Sequence, residues 1–346
     1  MWKYVLKRIG LAFFSTFLIL TLTFILMKLL PLEILPGTAE EQFAFLRDQV
    51  RLGYVVDFPK KMDGYGDLLM PVFTDGARVK HYFYAAPVMD QYFSWIKGIF
   101  TEWNWGTSTQ INMGVSAITI IAQKLPVSLS INVIYVVFSV PLGILLGIVA
   151  ALKKNTTTDH IISTGIMVAV SIPSFVLITL LIYFFGYRWD LLPVEWPREG
   201  YDTKTRVLAY VIPVVCLSFG SICGYARTTR AELCEVMASD YLLLARTKGL
   251  TKRQAIIRHA LKNAMVPIFP SILAEFIGVF SGSMILENLY GIPGIGSLFI
   301  TALGRKDYNV LLVDMAIFTL VGLLAGVVLD LSYGFIDPRI RMGAKK

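Results

Sequence analysis

The chain has 346 residues, of which 55% are hydrophobic and only 16% charged, and its mean hydropathy is +0.64. Soluble domains carry about 25% charged residues, so a soluble globular protein is excluded and an integral membrane protein is expected. The net charge of +8 would suggest nucleic acid for a soluble chain; here it fits the lysines and arginines that hold membrane loops on the cytoplasmic side.

The N-terminus, MWKYVLKR, is basic, and Ile9 to Met27 follows without a charge. An apolar helix of about 20 residues crosses the hydrocarbon layer. The run exceeds a signal-peptide core and no small-x-small cleavage site follows it closely, so it reads as an uncleaved first span. From Pro31 to about Val115 the chain turns polar and rich in Tyr, Trp, Gly and Pro, with 7 Lys/Arg against 10 Asp/Glu. That is too long for a plain connection, so structure of its own is expected. Tyr54 to Val72 has turn residues and little helical period. Met89 to Phe100 (MDQYFSWIKGIF) reads as an amphipathic helix. Its Tyr92, Phe93, Trp95 and Ile96, with Trp103 and Trp105 beyond, suit either the membrane interface or the core of a small external subdomain.

Five further uncharged or nearly uncharged runs follow. Leu125 to Leu152 contains Pro126 and Pro141 and is closed by Lys153, Lys154 and the polar NTTTDH turn. Ile161 to Tyr187 holds Pro173, and Val207 to Ala226 holds Pro213. Ala264 to Leu286 is broken by Pro267 and Pro270 and carries one charge, Glu275. Val310 to Leu329 is framed by Asp314 and Asp330, which read as interfacial. The tail, IDPRIRMGAKK, is basic. Six spans put both ends on one side. Basic residues in the short connections concentrate at the N-terminus, at Lys153 and Lys154, between Arg227 and Lys262, and in the tail, so both termini and the 227–262 loop are expected in the cytoplasm.

Within that loop, Ser239 to Asn263 reads as helix, sharp turn, helix. Gly249 suits the left-handed residue that follows a helix end, and Leu250 the apolar residue that packs back on it. Thr251 with Gln254 is a capping box for the next helix. Ile256, Ile257, Ala260, Leu261, Ala264 and Met265 then recur at helical spacing. Arg246, Lys248, Lys252, Arg253, Arg258 and Lys262 surround the turn. A DNA-reading pair of this kind cannot enter a groove while pinned between two membrane spans, so nucleic acid is not an expected partner. A docking surface for a cytoplasmic protein is.

At these residues the sequence resembles the membrane subunits of ATP-binding-cassette importers, and more narrowly the first permease subunit of the dipeptide, oligopeptide and nickel class. DYLLLARTKGL from Asp240 with RHALKNAMVP, ENLYGIPGIGSL from Glu287 with DY at Asp307, DLSYGFIDPRIR from Asp330, and QYFSWIKGI with WGTS and KLPVSLSINVIYVVFSVPLGILLGIVAALKK carry the resemblance. It implies an all-α integral membrane protein, a six-helix type I importer permease bundle with a large external loop. The divisions would be 1–30 (N-terminus and first helix), 31–115 (external subdomain), 116–336 (permease domain with the coupling loop 227–263) and 337–346 (cytoplasmic tail). The implied function is half of a translocation pathway for short peptides. Nickel chelates, glutathione and glycosides share the architecture.

The resemblance also implies partners: a second homologous permease, two ATPases that bind ATP and magnesium, an extracytoplasmic solute-binding protein, and the lipid of a bacterial cytoplasmic membrane. It places ATPase coupling at Asp240, Tyr241, Ala245, Arg246, Lys248, Gly249, Leu250 and Thr251. The wider permease signature has Glu-Ala-Ala, three residues, then Gly. Here Leu243 and Leu244 stand in place of its Glu and first Ala, which removes the acidic position from any salt bridge. Roughly Tyr54 to Tyr84 is extra to the family pattern.

No GxxxxGK[ST] occurs, so no ATP-phosphate cradle is expected and the chain holds no cofactor of its own. His81, His160 and His259 lack metal spacing or a paired nucleophile. Cys216, Cys223 and Cys234 match no zinc site and read as small buried apolar residues. No catalytic set is present, so the chain is not expected to be an enzyme. Glu275, about midway along its span, is the one expensive charge. It fits either an acid of the translocation path or a structural partner for a polar group on the companion permease. A self-contained secondary transporter would need more intramembrane ionisable groups than this and no docking loop.

Overall fold

The computed structural model describes residues 2–30, 34, 38–62, 67–198 and 200–336. The basic tail expected at 337–346 lies outside them. The chain forms two compact units.

One unit comprises Leu11–Leu125 and Leu298–Leu320. Helix α1 (Trp2–Lys28) contributes its apolar run, with Leu20 and Phe24 buried and Phe13, Phe14, Leu18 and Leu22 exposed. Helix α2 (Ala39–Arg51) opens on a reciprocal capping box between Thr38 and Glu41. Strands β1 (Val55–Phe58), β2 (Phe73–Thr74) and β3 (Lys80–Ala85) form an antiparallel sheet in the order β1-β3-β2. The stretch that lacked a helical period is therefore partly sheet, which adds a small β element to an otherwise helical chain. Leu46, Val55, Met70 and Phe83 form its core. Helix α3 (Val88–Glu102) covers the expected Met89–Phe100, and one of its faces enters the core of this unit. Trp95 is buried and stacks on Phe24 at 4.8 Å, in a core with Leu20, Tyr54, Ile99, Leu312 and Ala316, while Phe93, Phe100 and Trp103 stay exposed.

Inside this unit the WGTS and DY motifs meet. The buried Asp307 carboxylate accepts hydrogen bonds from Ser108 Oγ (2.5 Å) and from the backbone N–H groups of Thr109, Gln110 and Ile111 (3.0–3.2 Å). Asn309 Nδ2 donates to the Thr107 carbonyl at 2.8 Å. A Cβ on Gly106, whose φ is +92°, would run into the Asn309 amide, so glycine is required there twice over.

The other unit comprises Met1–Gly10, Pro126–Ser297 and Val321–Lys346. Helix α4 (Ala117–Leu152) has 36 residues, about 54 Å at 1.5 Å per residue, longer than the hydrocarbon layer needs. Helices α5 (Thr157–Val170) and α6 (Ser174–Leu181, continued by a π-helical turn, Ile182–Arg188) replace the single run expected at 161–187. They meet at 97°. Pro173 has no N–H to give and disfavours a helical residue before it, which breaks the helix at 171–173. Helix α7 (Thr203–Leu208) leads into α8 (Val211–Met237).

Gly143 and Gly147 let α4 lie directly on α8. A Cβ on Gly143 would come within 2.8 Å of the Ile222 carbonyl, and one on Gly147 within 2.6 Å of the Ala226 carbonyl and Thr229 Cβ. Two glycines four apart are the small-residue spacing that allows close helix packing in membranes. The three cysteines are free; Cys216 and Cys223 are buried and Cys234 is half-buried.

Helices α9 (Asp240–Thr247), α10 (Lys252–Ala255) and α11 (Leu261–Ala264) follow, with a π-helical turn over Ile256–Ala260. Helix α12 (Ile268–Gly278) bends from Lys252–Ala264 by 55°. The run expected at 264–286 is thus interrupted around Pro267 and again at 279–283, before α13 (Met284–Tyr290). Helices α14 (Ile295–Gly304) and α15 (Tyr308–Ile336) complete the chain. Asp314, expected at a span end, is fully buried with Val310 to Val313 in the first turns of α15. Asp330 pairs with Arg8 at 3.0 Å and is half exposed. Among the described residues four helical stretches are long and apolar enough to cross a membrane, or up to six when each bent pair is one span.

Candidate functional site

The polar segment between α8 and α12 folds by local rules. Asp240 sits in the first turn of α9, where its charge favours the helix dipole. At the other end Leu250 N–H reaches the Ala245 carbonyl and Gly249 N–H the Arg246 carbonyl, with Gly249 at φ +94°. This is a Schellman motif, which satisfies carbonyls that a helix end leaves free. Thr251 Oγ1 accepts from Gln254 N–H and Gln254 Oε1 accepts from Thr251 N–H, so the next helix starts at once. Leu242, Ala255, Ile256, Ala260 and Ala264 bury themselves against Leu233 and Ala151, with Leu250 packed alongside.

What remains outside is chemically mixed. Tyr241, Leu243 and Leu244 are 40%, 61% and 55% exposed, an unusual density of bare apolar side chains on a one-helix surface. Asp240, Arg246, Lys248, Gly249, Thr251, Lys252 and Arg253 are exposed around them, and Ala245 is half-buried. A groove of about 220 Å³ opens beside α9, lined among others by Ser239, Asp240, Leu243, Arg246 and Lys252. His259 is exposed.

The α8 end that carries this segment is fixed from the α5 side. Arg230 donates from Nε and Nη2 to the two Asp159 oxygens at 2.6 and 2.8 Å. Asp159, with 1% of its side chain exposed, also accepts from Asn155 N–H and Ser163 Oγ. The paired geometry fixes the rotation of α8 relative to α5. In sequence Asp159 is only one polar letter of NTTTDH; its partner lies 71 residues away.

Glu275, in α12, stands apart from the turn and bonds to none of its residues. Ser221 Oγ donates to Glu275 Oε1 at 2.6 Å and lies 3.0 Å from Ser139 Oγ. Tyr225 and Tyr135 lie close enough to feel the charge of the same carboxylate. Its hydroxyl partner is thus in its own chain.

Glu287 is a second acid, which the sequence reading passed over. It is 3% exposed and takes donors all round: Ser128 Oγ at 2.8 Å, Ser297 N–H at 3.0 Å and Ser283 N–H at 3.3 Å. Burial pushes its carboxyl above the usual range, against the pull of those donors. Tyr290 Oη donates to the Pro193 carbonyl, and Trp196 N–H to the Tyr290 carbonyl. The ENLYGIPGIGSL motif is therefore a cradle folded around its own carboxylate.

The model of the family described as the binding-protein-dependent transport system inner membrane component matches residues 143–342. The chain belongs to that family. A dipeptide transport system permease protein, DppB, of Lactococcus lactis subsp. cremoris is 32% identical over 98% of this chain and 99% of its own length. An oligopeptide transport system permease protein, OppB, of Escherichia coli K12 is 35% identical over 74% of this chain and 81% of its own. Among solved structures, an inward-facing MetNI methionine ABC transporter aligns with a TM-score of 0.50 and 16% identity, over 64% of this chain and 97% of that one. The fold is that of a type I importer permease, and the chain is the membrane-spanning permease subunit of an ABC importer, a transport component rather than an enzyme. The permease works with an ATPase and a binding protein, in the inner membrane.

Proposed function

We propose that this permease imports short peptides. It forms half of a pathway completed by a second, homologous permease; two ATPases dock on one side and a solute-binding protein delivers peptide on the other. The names of the dipeptide and oligopeptide relatives support the substrate. Both termini and the 227–263 loop lie in the cytoplasm, 31–115 forms the external subdomain, and 116–336 the permease domain.

The observation that carries the coupling role is the capped turn at Gly249 with bare apolar and cationic side chains around it. Asp240, Tyr241, Ala245, Arg246, Lys248, Gly249, Leu250 and Thr251 form the docking element. A short helix locked by a Schellman turn and a capping box is stiff, so a push from ATPase closure passes into α8 and α12 and biases a two-state packing.

The test is ATP-driven uptake of labelled short peptides by cells carrying wild type or Gly249→Pro. Proline is locked near φ −65° and cannot take this position. Lost uptake at normal membrane levels, together with lost ATPase copurification, is expected. Normal uptake would overturn the coupling role. If wild type moves no peptide, the substrate is wrong, and nickel chelates, glutathione and glycosides are the next to try.

A further inference from the structure

Glu275 has two properties that rarely occur together inside a membrane protein. Its carboxylate accepts a hydrogen bond from Ser221 Oγ with Tyr225 nearby, and the residue is only partly buried. Ser221 and Tyr225 of α8 lie against the acid carried by α12, and Ser139 of α4 backs Ser221 at 3.0 Å. Ser139 is fully buried and Tyr225 is 7% exposed, so these donors are fixed by packing.

Hydroxyls lower the cost of holding a carboxylate but leave its charge in place. Among the described residues no Lys, Arg or His pairs with Glu275. An ionised group turned toward lipid within a span is costly, so the open side faces water or protein. One unit of negative charge, ringed by hydroxyl lone pairs and lacking a cation, is complementary to a group with positive charge and several N–H donors. A primary ammonium has three such donors and no acceptor. The cluster offers it a carboxylate oxygen and hydroxyl oxygens within one small radius.

We infer that Glu275, positioned by Ser221 and Tyr225, is a subsite of the translocation path that takes the ammonium groups of peptides in transit. The inference rests on the peptide reading above. It makes Glu275 a specificity residue: cationic peptides gain from it, and anionic ones gain less.

The complete transporter in proteoliposomes, with binding protein saturated by labelled Ala-Lys-Ala, Ala-Ala-Ala or Ala-Glu-Ala, provides the test. In wild type the Lys peptide enters faster than the Glu peptide. Glu275→Gln keeps the shape and one acceptor oxygen but removes the charge, and should shrink that ratio about tenfold, the equivalent of one lost charge-assisted contact. Glu275→Asp should restore most of it. An unchanged ratio in Glu275→Gln overturns the inference while leaving peptide transport intact. So does failure of Glu275→Gln to copurify with its partner subunits, because the acid would then hold the assembly together. A wild type that moves none of the three peptides overturns the peptide reading and this subsite with it. Ser221→Ala, which leaves the charge but frees its position, should weaken the ratio by a smaller factor.

Discussion

Glu287 and Glu275 lie twelve positions apart in the sequence and are treated in opposite ways by the fold. Glu287 is closed off: a serine hydroxyl and backbone N–H groups fill its surroundings, and Gly282, Gly294 and Gly296 bring the backbone close around it. Glu275 is left partly open, with the Ser221 hydroxyl on it, Tyr225 nearby and, among the described residues, no backbone donor. Backbone donors are fixed once the chain folds, so a carboxylate that uses them is part of the architecture. An acid held by side-chain hydroxyls with one side free keeps capacity for something that comes and goes. The difference teaches that a buried acid is judged by what its donors are, and not by its depth.

The contrast is broken most directly at Gly294. A Cβ there would collide with Ser128 Oγ and the Glu287 carboxylate. Gly294→Ala should therefore cost about 3 kcal/mol or more, the scale of disrupting a buried charge's partners. A large fall in the melting temperature of the detergent-purified permease is the expected result. A melting curve matching wild type would mean that the cradle is not structural. Gly147→Val disturbs a closed site that has no charge. Overpacking against Ala226 and Thr229 should cost about 2 kcal/mol, read on the same melting curve.

Open sites should behave differently. At Gly249 nothing lies near a would-be Cβ, so Gly249→Ala meets only the left-handed backbone, about 1 kcal/mol. The melting temperature should hardly move, while ATPase copurification falls because the turn no longer presents α9 in one orientation. Unchanged copurification would assign docking to the flanking side chains alone.

The smallest effect sharpens the comparison in the other unit. His81 Nδ1 donates to Asp57 Oδ2 at 2.7 Å, and its Nε2 lies 3.5 Å from Asp75. Asp57 and His81 are diagonal neighbours across β1 and β3, where side chains on one face meet. Burial works against the imidazolium, but the hydrogen bonds and charges of Asp57 and then Asp75 outweigh it and hold His81 above its ordinary pKa. The folded state thus binds the proton more tightly than the unfolded chain. This stabilisation is complete below about pH 6.5 and is lost as pH rises through the folded value. Hydrogen-exchange protection of the β3 amides, corrected for intrinsic rates, should decline over that window in wild type. In His81→Gln it should stay flat.

The sequence made the coupling segment legible because its rules are local. A glycine, a leucine, a threonine and a glutamine within six positions determine both helix ends, and the turn has the expected caps. The apolar runs were legible from length and charge alone. Glu287 and Asp307 were not, because their side-chain partners lie 159 and 199 residues away. The sheet escaped notice because strands of two to six residues leave little alternation to read. Pro173 announced a kink but not a 97° turn; that angle is set by packing of α6 on α8 and α13. Glu275 was picked out by its cost, whereas Ser139, Ser221 and Tyr225 are ordinary letters until the helices bring them together.

The contact between Gly143, Gly147 and α8 also bears on motion. Close seating at the two glycines leaves α4 and α8 little room to slide on one another there. On the proposed coupling role, displacement that reaches α9 has to be absorbed elsewhere, and the helices are interrupted at 171–173, 265–267 and 279–283. Two of those three joints flank the helix that carries Glu275. A stroke applied at the turn would tilt that helix about its ends, and with it the one open carboxylate in the span.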